Sequence, residues 1–148
     1  MSIDPEHYFH RVWLPQILGY AELIDQETDL RKAWVKGDRS RTSVYYPGEL
    51  ADQINDLTRA IRGEIATRLA NDRLLAQAIE NFLQSVDRLW FSVEATMNAK
   101  AWGSGVPIEG AASVFQSREW LMLRDHARQL RVLASAAGVM SSDFSHDP

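Results

Sequence analysis

The sequence predicts an all-α domain, a bundle of about four principal helices with an irregular or short β-hairpin insertion near residues 26–48. Three observations carry this expectation. Apolar residues recur at steps of three and four along several long stretches, the spacing that gathers them on one face of a helix. The strong breakers, Pro47-Gly48, the Gly103–Gly110 segment and Gly138, fall between those stretches. The link Ala70-Asn71-Asp72 is short, and short links between long helices make antiparallel neighbours. One helical domain over residues 1–138 and a flexible tail over 139–148 are expected.

The first stretch, 4–25, begins with Asp4 as a cap and Pro5 at the first helical position, where its missing N–H costs nothing. Tyr8, Phe9, Val12 and Trp13 supply an apolar face, continued by Ile17, Leu18, Ala21 and Ile24. Pro15 interrupts the two halves, so a kink or a fresh helix start is predicted there.

Residues 26–48 change character. Glu22, Asp25, Glu27 and Asp29 make an acidic patch, followed by Arg31, Lys32, Lys36, Arg39 and Arg41. Aromatic and β-branched residues on both sides of Lys36–Arg41 suggest a hairpin. The competing reading, which we prefer, is a helix over 29–36 capped by Thr28 and ended by Gly37, with an ordered loop over 37–48.

A helix over 49–70 follows from the stripe Leu50, Ile54, Leu57, Ile61, Ile65 and Leu69. Gly63 weakens it by about 1 kcal/mol or admits a close neighbour. The longest stretch is 71–102. Leu75, Ile79, Phe82, Val86, Leu89, Trp90, Val93 and Met97 form a stripe of about seven turns, with Asn71 or Asp72 capping it and Gly103 at its end. Its second half is apolar on two sides. Phe91, Ala95 and Trp102 lie opposite the main stripe, and Leu121 and Val132 repeat the trait on the last helix. That last helix is expected from Ser113, which has capping-box spacing to Gln116. It runs through Trp120, Leu123, Ala127, Leu130, Ala134 and Ala137 to Gly138.

Composition narrows the function classes. The chain of 148 residues is 45% apolar and 24% charged, with a net charge of −4, so nothing global favours nucleic acid or anionic lipid. It contains no cysteine, which excludes disulfides, thiolate metal sites and a cysteine nucleophile. No apolar run approaches the ~20 residues of a membrane span, and the acidic N-terminus is unlike a signal peptide. A cytoplasmic location is the default expectation.

Candidate chemistry is sparse. His7 and His10 share a helix face at i and i+3 and would offer two metal ligands, beside Asp4 and Glu6, but no third ligand is evident. Glu119 and His126 fall within ~20° of each other on the last helix and would suit an oriented general base, yet they stand ~10 Å apart along the axis. Arg124, Arg128 and Arg131 make a basic stripe suited to phosphates or acidic surfaces, or to internal pairing with the acidic 22–29 segment. No phosphate loop, nucleophile elbow or zinc-protease motif is present, and no cofactor is expected. The leading expectation is a non-enzymatic interaction module that binds another protein or itself as a homodimer: an adaptor, inhibitor or immunity-type protector. Phe91, Trp102 and Trp34 would be its anchors, with Arg39, Arg41, Glu27 and Asp29 at the rim. A helical enzyme built on the Glu/His pair or on a His-bound metal is the alternative. Nucleic-acid binding through the arginine stripe comes after it.

Overall fold

Pro15 shapes how the chain enters its first helix. In the computed structural model, which describes residues 8–38, 40, 42, 44, 47–96 and 111–139, the segment Phe9–Trp13 is a π-helical turn that runs directly into helix α1, Leu14–Gln26. The Leu14 N–H bonds to the carbonyl of Phe9, five residues back, so the ladder changes register at the proline. The proline then stands in the first turn of α1, where no N–H is required of it. The capping positions Asp4 and Pro5 lie outside the described residues.

Five further α-helices are described: α2, Thr28–Lys36; α3, Pro47–Thr58; α4, Ile65–Arg68; α5, Arg73–Thr96; and α6, Arg118–Ala136, which is preceded by a 3₁₀ segment, Ala111–Gln116. No strand occurs among the described residues, and the class is all-α. The hairpin alternative for 26–48 is therefore replaced by α2. Gly37 closes that helix with φ 73°, and the Asp38 N–H returns to the Lys32 carbonyl at 3.0 Å.

One residue, Glu27, separates α1 from α2. Its φ of 67° makes it the non-glycine residue with positive φ among those described. A left-handed L-residue costs about 1–2 kcal/mol. The chain thereby turns a corner in a single residue, with the Glu27 N–H bonded to Leu23 O and the Glu27 carbonyl accepting from Arg31 N–H. Thr28 opens α2 without capping it; its hydroxyl donates to the Gln26 carbonyl.

The predicted helix 49–70 is broken. Its apolar stripe stays buried through Ile54, Ile61, Ile65 and Leu69, but regular α-structure stops at Thr58. Ile61 and Glu64 then make three-residue turns back to Thr58 and Ile61. The buried Thr58 hydroxyl donates to Ile54 O, the back-bonding that bends helices, and no heavy atom lies within 4 Å of where a Gly63 Cβ would stand. The break therefore follows from local propensity; no neighbour approaches closely at Gly63. Arg62 pins the broken stretch to α5 through a two-pronged pair with Asp87 (2.9 and 3.2 Å) and a contact to Asn55.

Asp72 caps α5, accepting from Leu75 N–H at 3.1 Å. The expected continuation from 97 to 102, with Gly103 behind it, lies outside the described residues. The last helix starts four residues later than its Ser113 signal. Ser117 is the cap: its hydroxyl accepts from Trp120 N–H at 3.2 Å and donates to Val114 O at 2.7 Å, leaving 111–116 as the 3₁₀ approach. Gly138, with φ 77°, closes α6 in a Schellman arrangement, Val139 N–H to Ala134 O and Gly138 N–H to Ser135 O.

Helix α6 packs between α5 and α1, and α3 lies on α5. Contacts of Glu27 with Trp120 and Arg124, and of Asp25 with Arg128 and Arg131, run in opposite chain directions, so α1 and α6 are antiparallel. Trp34, Phe115 and Trp120 meet at the base of this joint, stacked or edge-to-face at centroid distances of 5.1–5.5 Å. Tyr20 ties α1 to α3 through a hydrogen bond to Gln53, and burial, with the charge of Glu49, pushes its hydroxyl pKa above the ordinary tyrosine value.

Candidate functional site

The charged residues sort into two settings on opposite flanks of α6. On the α1 flank, the Glu27 carboxylate is held inside the fold, its side chain 8% exposed. One oxygen accepts the Trp120 indole N–H at 2.5 Å; the other meets Arg31 at 3.1 Å and Arg124 at 3.5 Å. Arg31 also lies over the Phe115 ring, 4.5 Å from its centroid. Two residues back along the chain, Asp25 takes Arg128 at 3.0 Å and Arg131 at 2.7 Å. The stripe Arg124, Arg128 and Arg131 is thus matched by acid from its own chain. Crowding leaves one mark: the Arg124 Nε is buried without a hydrogen-bond partner.

The α5 flank is different. Arg88, Phe91 and Ser92 from α5 face Arg118, Glu119 and Met122 from the first turns of α6 across an open cleft of ≈ 460 Å³. Spacings of three and four place each trio on one helix side, and the cap at Ser117 sets where the α6 trio begins. Phe91, one of the lining side chains, is 70% exposed. Among the described residues, Arg88, Arg118 and Glu119 take part in no ion pair.

The expected site residues are scattered. Phe91 is exposed, as are Leu121 and Val132, which lie away from the cleft. Trp34 is 1% exposed, stacked on Phe115 and donating its indole N–H to Val44 O; it is a core residue and no surface anchor. Glu27 is likewise internal rather than at a rim, and Asp29 sits in the first turn of α2. Trp102, Arg39, Arg41 and His7 lie outside the described residues. His10 is exposed, with its ring edge-on to Phe9, and no group of three potential metal ligands gathers among the described residues. Glu119 lines the cleft but His126 does not; the His126 Nδ1 is buried without a partner, and the two form no dyad.

Arg88, Ser92 and Met122 escaped the sequence reading. Arg88 falls at ~220° on the helical wheel counted from Leu75, inside the same outward sector as Phe91, so the wheel contained the signal. Arg88 is polar, so a stripe defined by apolar residues does not include it.

No described helix is long and apolar enough to cross a membrane. These features define an all-α protein with an open, mixed-charge cleft that includes an exposed aromatic ring. No protein-family model, curated protein or solved structure matches the chain.

Proposed function

We propose that this chain is a protein–protein interaction module, of the adaptor, inhibitor or immunity type, and that its binding surface is the cleft between α5 and α6. The carrying observation is Phe91, 70% exposed in a cleft that also holds Arg88 and Arg118, neither of them ion-paired among the described residues. A large aromatic ring kept in water on a helix whose other face is fully packed is costly unless something covers it. Aromatic and arginine side chains side by side are the composition of binding hot spots. Four principal helices, α1, α3, α5 and α6, would supply the rigid platform.

The test pairs association with stability. Phe91→Glu is expected to abolish association, whether with a second copy or with a protein captured from an extract of the native host. The unfolding free energy of the monomer should change by no more than the ~0.5 kcal/mol typical of surface changes. An unchanged set of captured proteins together with an unchanged oligomeric state would overturn the reading.

A further inference from the structure

We infer that the occupant of the α5–α6 cleft is the same cleft on a second copy of this chain, in a two-fold symmetric dimer. This rests on the reading of the cleft as an interaction surface and goes on to name what sits there. The argument is one of self-complementarity. A two-fold interface brings a patch against itself, so every group on it needs its complement on the same patch. The cleft carries Arg88 and Arg118 together with Glu119, none of them ion-paired within the chain among the described residues, around the apolar side chains of Phe91 and Met122.

An acidic partner would be met by Arg88 and Arg118 but repelled by Glu119, and a basic partner would suffer the converse. A second copy answers both signs: Glu119 of each protomer faces an arginine of its partner, the other arginine of each protomer stays in solvent, and Phe91 packs on apolar side chains at the axis. The α1 flank makes the contrast sharper, because there Asp25 and Glu27 each meet two arginines of the same chain. Interfaces of standard size bury about 800 Å² per partner, so the contact extends from the cleft along the outer sides of α5 and α6.

Sedimentation velocity on the full chain, from low micromolar to several hundred micromolar, tests this with two charge-reversed variants. Wild type should dimerise with concentration. Glu119→Arg alone, and Arg88→Glu with Arg118→Glu alone, should each weaken the dimer at least about tenfold, since like charges then meet across the axis. An equimolar mixture of the two variants should dimerise again, because both reciprocal contacts become attractive; that rescue also shows that both variants are folded. Wild type remaining monomeric over the whole range would overturn the dimer while leaving a foreign partner open to the Phe91 test. Undiminished dimers of either variant alone, or a mixture that fails to dimerise where wild type does, would overturn it as well.

Discussion

The two flanks of α6 use the same residue types to opposite ends. Against α1, Arg124, Arg128 and Arg131 meet Asp25 and Glu27, and the indole of Trp120 closes the set. Against α5, Arg118 and Glu119 line a cleft with Arg88 and form no ion pair among the described residues, and an aromatic ring faces water. Charge on a helix is therefore no guide to function until its neighbours are known. A stripe that looks like a binding surface in sequence can be a joint, and a single arginine outside it can belong to the surface.

That contrast can be broken most severely at Glu27. Glu27→Ala strands the Trp120 N–H and two arginines while keeping a left-handed L-residue, and should cost about 3 kcal/mol in urea unfolding. Glu27→Gly loses the same carboxylate but relaxes the backbone, so it should be less damaging than alanine by about 1 kcal/mol. Equal losses would show that the corner is unstrained. Asp25→Asn comes next. Its arginines are 56% and 35% exposed, so about 1 kcal/mol is expected, shrinking as salt is raised. On the other flank, Arg88→Ala combined with Arg118→Ala should leave monomer stability within about 0.5 kcal/mol of wild type. A loss as large as that of Asp25→Asn would erase the distinction between joint and surface.

Local chemistry was legible in the sequence, and long-range chemistry was not. The Asp72 cap, the Gly37 and Gly138 stops and the buried stripe of α5 each depend on residues within a turn or two, and each could be read directly. The choice between Ser113 and Ser117 as cap turned on a hydroxyl that bonds in both directions, which spacing alone does not reveal. The burial of Trp34 is hidden from the sequence for a different reason. Its neighbours Phe115 and Trp120 come from the far end of the chain, and a short helix with few apolar residues says little about which side will be covered. Glu27 combines both difficulties: a positive φ that glutamate does not advertise, and partners on a helix more than ninety residues away. The cleft was half visible, since the outward position of Phe91 could be counted while its polar company had to be seen.

The aromatic knot at the base of the joint has one more consequence. Two indoles in edge contact, one bonded to a carboxylate and the other to a backbone carbonyl, form a chromophore pair whose environment is fixed only when α1, α2 and α6 are docked together. Near-ultraviolet circular dichroism would then follow that docking, while the far-ultraviolet signal follows the helices themselves. The protein carries its own optical gauge, able to separate loss of the joint from loss of helix without any label.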